Sequence, residues 1–455
     1  MTSKEISLIK KKIFRGVETY RQSLFEYPDL WEGEEANIKD KIIETIRRFN
    51  LFKNNKNKLV FKYFNQIKDE NLILYIDLPF CSTRCIFCYL QDFLPLTKKL
   101  VEKYIKCLKK EIRLFLENTN LKDKRIKAIF FGGGTPLEIF TEDLIDMLKF
   151  LKNNLRIDEE TEITIESHPR AILLPTAYQK LKLLKKEGVN RVSVGIQSFD
   201  DFVLQLNHRC HTAKEAVKSY KVLREIGFII NIDMMFGLPG QTVKNIKNDL
   251  IILNKLRPEA IEYFRLEHIN QKLIKLYEEK KELFPSLEEL WTMNLLVYRW
   301  LFKNKYEQNG SLRENSQYFR HRYLRLKEIS QVGFGRLANY HLGLIRLANF
   351  TDFDQYFKSI KKGELPIERY KILNHRDMAL RSFFLSLLFK KGVNKKNFSQ
   401  KYGFSINEYF GNFIKKFKKL KLIEENSRCV KLTKIGSYFV HDICWLFLED
   451  IYEVV

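Results

Sequence analysis

The feature that most constrains the fold is a repeated unit in which a short β-rich run precedes an amphipathic helical stretch. Six such runs are present: Leu72–Asp77, Lys127–Phe131, Glu162–Glu166, Arg191–Ile196, Ile229–Met235 and Ala260–Leu266. Helical periodicity lies between them at Lys98–Glu117, Thr141–Asn154, Thr176–Glu187, Ala213–Ile226 and Val243–Leu256. This alternation predicts an α/β fold with a parallel sheet, which right-handed crossovers curl into a partial, six-unit β/α barrel. Active sites of such sheets lie at the C-terminal ends of the strands.

The rest of the chain divides around this strand–helix core, which we place at residues 66–268. Residues 1–65 are polar and helix-patterned, and we expect a helical extension there. Residues 269–385 are mixed and are expected to extend and cap the core. Residues 386–455 predict a small helical domain that resembles a winged helix, closed by a hairpin at Leu422–Lys434 with Asn426-Ser427 at its turn.

Cysteine is sparse and unevenly distributed. Of seven Cys, three follow the first β-run in a Cys81-x3-Cys85-x2-Cys88 spacing. The N-terminus lacks the apolar region of a signal peptide, and no stretch reaches about 18 apolar residues, so we expect a cytoplasmic protein without a membrane span and with reduced thiols. Three thiolates at this spacing can bind three irons of one 4Fe-4S cluster and leave the fourth iron open, whereas zinc and a buried thiol cluster are the alternatives.

Two further interpretations concern the other cysteines and the charge. We interpret Cys107, Cys210, Cys429 and Cys444 as small hydrophobes.

The formal charge of +24 suggests nucleic acid or an anionic membrane as a partner. The lysines, however, are spread along a chain rich in Ile, Asn, Phe and Tyr, so solvated surface lysine is favoured and a nucleic-acid partner is not expected. A carboxylate-bearing small molecule fits the remaining basic character.

Several segments together resemble the radical S-adenosylmethionine (SAM) superfamily, and specifically its HemN-like branch, over residues 66–380. They are the cysteine triplet with Phe87 before its third Cys, the glycine-rich Phe131–Pro136, Glu166–Arg170, Ser193–Phe199 with Arg209 and His211 beyond it, and Asp233–Thr242. That branch contains relatives of oxygen-independent coproporphyrinogen III dehydrogenase, haem chaperones and class C methyltransferases.

The resemblance implies the cofactors and the roles of the site residues. It implies a 4Fe-4S cluster on Cys81, Cys85 and Cys88, one or two SAM molecules, and an electron donor such as flavodoxin or ferredoxin. Tyr75 and Glu166 are the implied catalytic residues. The implied SAM contacts are Tyr75, Phe87, Gly132, Gly133, Gly134, Thr135, Glu166, Gln197, Arg209 and Asp233. The glycines would approach the methionine moiety, Arg209 its carboxylate, and Glu166 the ribose hydroxyls or the amino group.

The sequence departs from its relatives at three points, which leave the reaction open. Leu90 stands where coproporphyrinogen dehydrogenase typically has a fourth Cys, and Asp77 interrupts the common His-Ile-Pro. The segment 314–321 matches the haem-binding motif of the chaperones poorly. The first hypothesis is radical chemistry on a tetrapyrrole or another conjugated small molecule, either oxidation or methyl and methylene transfer. Haem trafficking and RNA modification are the alternatives.

Overall fold

The computed structural model of this chain describes residues 56–88, 90, 95–266, 270–306, 320–440 and 443. Its centre is a ten-stranded sheet. The strands are β1 (Asn71–Leu78), β2 (Arg125–Gly133), β3 (Glu162–Ser167), β4 (Arg191–Gln197), β5 (Ile229–Phe236), β6 (Ala260–Arg265), β7 (Gln331–Phe334), β8 (Asn339–Leu342), β9 (Ile345–Asn349) and β10 (Ile367–Ile372). Their order in the sheet is β10-β9-β8-β7-β1-β2-β3-β4-β5-β6.

Strands β1 to β6 are parallel to their neighbours, which confirms the predicted six-unit parallel arrangement. The helices that follow them are α2 (Lys98–Asn118), α3 (Thr141–Asn154), α4 (Pro169–Ile172), α5 (Ala177–Lys186), α6 (Asp201–Leu206), α7 (Ala213–Ile226) and α8 (Val243–Leu256). Helices α7 and α8 begin at capping boxes on Thr212 and Thr242, and α7 ends at Gly227 in the left-handed region. These signals explain why the predicted bounds of α7 and α8 match the structure.

The inner face of the parallel sheet is partly accessible near the strand ends. Along β3, β4 and β5, most residues are buried, but Glu166, Gly195, Gln197 and Asp233 are only partly buried. Helices cover one face of this sheet. Solvent therefore reaches the partly buried residues from the opposite face. The fold therefore leaves an opening at the C-terminal ends of these strands, where the sequence places the site.

Residues beyond β6 contribute strands that the sequence analysis does not predict. Strand β7 pairs in parallel with β1, whereas β8, β9 and β10 are antiparallel to their neighbours. Gly333 is required in β7, because a Cβ there would lie 2.8 Å from the backbone nitrogen of Asn339. The helices in this part of the chain are α9 (Gln271–Glu279), α10 (Leu287–Lys303), α11 (Arg320–Leu326) and α12 (Phe353–Lys362). Helix α10 packs against α8 and β5, α11 against β1 and β2, and α12 against α2.

The C-terminal region has winged-helix-like elements, in agreement with the sequence. They are α13 (His375–Leu387), β11 (Val393–Asn394), α14 (Lys395–Tyr402), α15 (Ile406–Lys419), β12 (Ile423–Glu425), β13 (Cys429–Leu432) and α16 (Lys434–Ser437). Strands β12 and β13 form the predicted hairpin, and β11 pairs with β13. The Phe383 and Phe410 rings stack at 3.9 Å in the core of this region.

Two predictions lie partly outside the described residues. Of the N-terminal extension the structure describes α1 (Lys56–Asn65), whose Phe64 ring packs edge-on against Phe115. The remainder of residues 1–65, Cys444 and most of residues 441–455 lie outside the described ranges. Within those ranges, no helix is both long and apolar enough to cross a membrane.

Candidate active site

The three cysteines of the triplet lie in the loop after β1, and all three are partly buried. A hydrogen bond of 3.2 Å from the Cys88 N–H to the Cys85 C=O closes the turn between them. The Cys81 thiol donates to the Thr83 C=O at 2.9 Å, and the Cys88 thiol donates to the Leu90 C=O at 3.3 Å. Burial raises the pKa of both thiols, that of Cys88 to about 11, and the neighbouring cysteines of the triplet add to the rise. The three sulfur atoms therefore lie within electrostatic reach of one another.

The structure does not arrange the triplet as a site for a single metal ion. Throughout the part of the chain that the structure describes, no group of three His, Cys, Asp or Glu side chains is arranged to hold one metal ion. A 4Fe-4S cluster distributes its thiolates over separate irons, so its ligands need not surround one point. Bound iron would also deprotonate the thiols despite their raised pKa values.

Arg209 connects the cysteine loop to the end of β4. Its Nη1 donates to the Cys85 sulfur at 2.9 Å, and its Nη2 donates to the Gly195 C=O. The positive guanidinium also opposes the rise in the pKa of Cys88. The predicted contact between Arg209 and the carboxylate of SAM stays a prediction, and the structure places the guanidinium beside the cysteine loop.

The glycine-rich turn packs the end of β2 against the cysteine loop. A Cβ on Gly134 would lie 2.7 Å from the backbone carbon of Phe80 and nearer still to its oxygen. Gly133 has a φ of +101°, and a Cβ there would collide with the Asp77 carboxylate. A Cβ on Gly132 would lie 3.0 Å from both Glu166 and Tyr75. Gly133 and Gly134 are thus needed for packing within the chain, and Gly132 faces the predicted site.

Two acids lie on β3 and β5, with Glu166 next to the last residue of β3 and Asp233 in the middle of β5. The pKa of Glu166 is raised to about 8, first by burial and then by the charge of Asp233, while a hydrogen bond from the Gly133 N–H opposes the rise. Burial also raises the pKa of Asp233, which accepts hydrogen bonds from Ser193 at 2.9 Å and Asn231 at 2.5 Å. Because the two carboxylates repel each other, a cationic ligand between them would be stabilised.

Gln197 has a buried polar atom that needs a partner. It ends β4 with a φ of +74°, in the left-handed region that non-glycine residues rarely adopt. Its Oε1 is buried and has no hydrogen-bond partner. An unsatisfied buried acceptor is costly, and at a strained residue it indicates a ligand site. A ribose hydroxyl of SAM would satisfy it.

The remaining predicted residues lie around the same opening. The Tyr75 ring stacks on Phe130 at 6.1 Å and borders Gly132. Phe87 is partly buried in the cysteine loop. Thr135 is buried, and its hydroxyl lies 3.2 Å from the Cys81 sulfur, so it contacts the cysteine loop directly.

The sequence analysis missed a polar cluster on the other side of the loop. The interpretation of Cys210 as a small hydrophobe is wrong. Its thiol lies 3.5 Å from His168 Nδ1 and accepts a hydrogen bond from Thr83. Burial alone would raise the pKa of Cys210, but His168 lowers it below its usual value. Glu138 lies 3.1 Å from His168 Nε2. The available signals were that Glu138 and His168 follow two of the predicted strands and that His168 and Cys210 lie within the segments Glu166–Arg170 and Arg209–His211.

Together these residues fit a 4Fe-4S cluster and SAM. Three thiols form the predicted ligand set, Glu166 and Asp233 are two neighbouring acids that a cationic ligand would ionise, and Gln197 Oε1 is an unpaired acceptor. The cysteine loop, Glu166 and Gln197 lie at the C-terminal ends of β1, β3 and β4, and Asp233 lies on the neighbouring β5.

Comparison with known proteins agrees with this arrangement. The model of the radical SAM superfamily matches residues 75–250, and the model of the HemN C-terminal domain matches residues 373–439. The radical SAM family implies a 4Fe-4S cluster and SAM.

Curated relatives fall into two groups. The heme chaperone HemW of Bacillus subtilis is 28% identical over 388 residues, which cover 83% of this chain and 99% of that protein. The oxygen-independent coproporphyrinogen III oxidase of Helicobacter pylori is 26% identical over 422 residues, 86% of this chain and 90% of that protein. The solved structure of coproporphyrinogen III oxidase (HemN) from Escherichia coli shares the fold with a TM-score of 0.75, at 22% identity over 86% of this chain and 93% of that one. The chain therefore belongs to the HemN-like branch of the radical SAM superfamily.

Proposed function

We propose that this chain is an enzyme that cleaves SAM reductively at a 4Fe-4S cluster bound by Cys81, Cys85 and Cys88. One observation carries the proposal. The cysteine loop, Gly132 with its neighbour Glu166, and the unpaired Gln197 Oε1 all lie at the ends of adjacent strands. When bound, the cluster supplies the electron that splits SAM into methionine and a 5′-deoxyadenosyl radical.

The chain's own residues bind and orient SAM in this proposal. Glu166 and Asp233 receive the cationic part of SAM, which lowers their raised pKa values and ionises them. Gln197 Oε1 accepts a hydrogen bond from a ribose hydroxyl. Tyr75 lies beside Gly132 and Glu166 and helps to exclude water from the reacting atoms. Holding the sulfonium in a fixed position is the protein's main catalytic contribution.

The substrate we propose is a tetrapyrrole or another conjugated small molecule. Support comes from the relatives whose names specify coproporphyrinogen III oxidation. The substrate is either oxidised by the radical or receives a methyl or methylene group from a second SAM, with flavodoxin or ferredoxin as the electron donor. Mass spectrometry of the products from SAM distinguishes these outcomes. 5′-Deoxyadenosine alone indicates oxidation, additional S-adenosylhomocysteine indicates methyl transfer, and the absence of both counts against an enzyme.

Haem trafficking is the second candidate function. It is favoured by the match to the heme chaperone HemW of Bacillus subtilis over 99% of that protein's length. Titration of the purified protein with haem tests it. Tight one-to-one haem binding without 5′-deoxyadenosine formation supports the chaperone, whereas weak, non-stoichiometric binding together with SAM cleavage supports the enzyme.

A further inference from the structure

We propose that Glu138, His168 and Cys210 are positioning residues that hold the segment between the first two cluster cysteines. This inference rests on the proposed function, because it assigns the triplet to a cluster. The segment consists of the residues between Cys81 and Cys85, and its conformation decides whether both thiolates can reach one cluster.

Glu138 binds the first half of this segment. The Ser82 N–H donates to Glu138 Oε2 at 2.7 Å, and the Ser82 hydroxyl donates to Oε1 of the same carboxylate. Both oxygens of one side chain are thus used on a single residue next to Cys81. Although burial alone would raise the pKa of Glu138, its hydrogen bonds with His168 and Ser82 hold that pKa below the usual value. The carboxylate is therefore ionised at neutral pH, and hydrogen bonds to a charged acceptor are strong.

His168 orients Glu138 on one side and contacts Cys210 on the other. The Ala171 N–H donates to His168 Nδ1 at 3.2 Å, which makes Nδ1 an acceptor. Nε2 then carries the hydrogen and donates to Glu138 Oε1 at 3.1 Å. The side chains of His168 and Glu138 are only 5% and 7% exposed, so water competes weakly for this bond. The Cys210 sulfur lies 3.5 Å from the same Nδ1.

Cys210 binds the second half of the segment. The Thr83 hydroxyl donates to the Cys210 sulfur at 3.8 Å. Glu138, His168 and Cys210 follow β2, β3 and β4 in turn, so the loop after β1 is tied to the ends of the next three strands. Hydrogen bonds that fix the groups around metal ligands typically change metal affinity by about 10–100-fold when they are removed.

The test is the rate of iron release from anaerobically reconstituted protein to a chelator. For Glu138→Gln we expect release about 10–100-fold faster than for the wild type, because an amide group replaces one of two acceptor oxygens. Cys210→Ala is a milder variant that removes the Thr83 contact, and we expect a smaller acceleration. Glu142→Gln is the matched control, since Glu142 pairs with Lys98 on the surface and should leave release unchanged.

Two further readouts separate positioning from general destabilisation. The melting temperature of the iron-free Glu138→Gln protein should fall by no more than a few degrees, because the change weakens the hydrogen bonds of a single loop, and SAM cleavage per bound cluster should remain at the wild-type value. Release at the wild-type rate in both Glu138→Gln and Cys210→Ala would overturn the inference, as would a melting temperature that falls in parallel with iron retention. If the wild type itself binds no cluster, the proposed function fails instead, so the two failures are distinguishable.

Discussion

Replacing Gly134 by alanine tests the close packing of the glycine-rich turn against the cysteine loop. The backbone of Gly134 is not in the left-handed region, so alanine has no conformational cost there and only space decides the outcome. The new Cβ would lie 2.7 Å and 2.8 Å from the backbone carbon and nitrogen of Phe80. Ordinary contacts between carbon atoms are about 3.5–4.0 Å, so the loop must move by about 1 Å.

That movement breaks identifiable hydrogen bonds. The Gly134 N–H donates to the Leu78 C=O at 3.0 Å, and the Thr135 N–H donates to the Phe80 C=O at 2.6 Å. At about 0.5–1.5 kcal/mol each, their loss lowers the free energy of unfolding by about 1–3 kcal/mol, which agrees with the usual cost of overpacking. The shift also moves Cys81, which directly follows Phe80, so we expect the variant to lose its iron.

Urea denaturation of the iron-free protein and iron content after reconstitution measure the two effects. Gly411→Ala is the control, because Gly411 lies in α15 with no atom within 4 Å of the new Cβ. Alanine there should raise the free energy of unfolding by about 0.5–1 kcal/mol and leave the iron content unchanged. A Gly134→Ala protein with wild-type stability and a full complement of iron would refute the packing argument.

Three further predictions concern buried polar groups. Burial raises the pKa of Asp77 to about 8, so between about pH 4 and pH 8 the folded chain holds a proton that the unfolded chain has lost. The free energy of unfolding should therefore fall as pH rises through this window, and Asp77→Asn should remove that part of the fall; melting curves with the same pH dependence for both proteins would contradict this. Glu111 accepts hydrogen bonds from Gly335, Tyr340, Asn349 and Tyr356. Glu111→Gln places a donor among these donors and should cost about 1–3 kcal/mol in urea denaturation, and a change below about 0.5 kcal/mol would count against the network. Gln197→Gly suits the φ of +74° and removes the unpaired acceptor, so the fold should survive while calorimetry shows SAM binding weakened by about tenfold; an unchanged affinity would exclude that contact.

The parallel half of the fold was predictable because its signals are local. Each strand–helix unit carries its own periodicity, and α7 and α8 carry capping boxes at their first turns. Strands β7 to β10 have four to six residues each, and β7, β8 and β9 follow one another without the intervening helix that marks the other units. Their pairing depends on distant partners, as when Tyr75 of β1 lies beside Gly333 of β7. Short strands whose partners are remote in sequence cannot be recognised from local patterns.

The candidate site was likewise predictable only where its residues are close in sequence. Cys81, Cys85 and Cys88 lie within eight consecutive residues, so their spacing alone indicated a cluster. The residues that contact this loop are distant in sequence. Thr83 and Cys210 are 127 positions apart, and Ser82 and Glu138 are 56 positions apart. Such contacts follow from the order of the strands in the sheet, and the sequence analysis did not connect them.

The central claim is that the triplet binds a 4Fe-4S cluster with one iron open to SAM. Electron paramagnetic resonance of the reduced, reconstituted protein with and without SAM tests this claim directly. The account predicts a signal from a protein that holds about four irons, a clear change of that signal when SAM is added, and no signal from Cys85→Ala. A signal that SAM leaves unchanged, or one that Cys85→Ala retains, would contradict it.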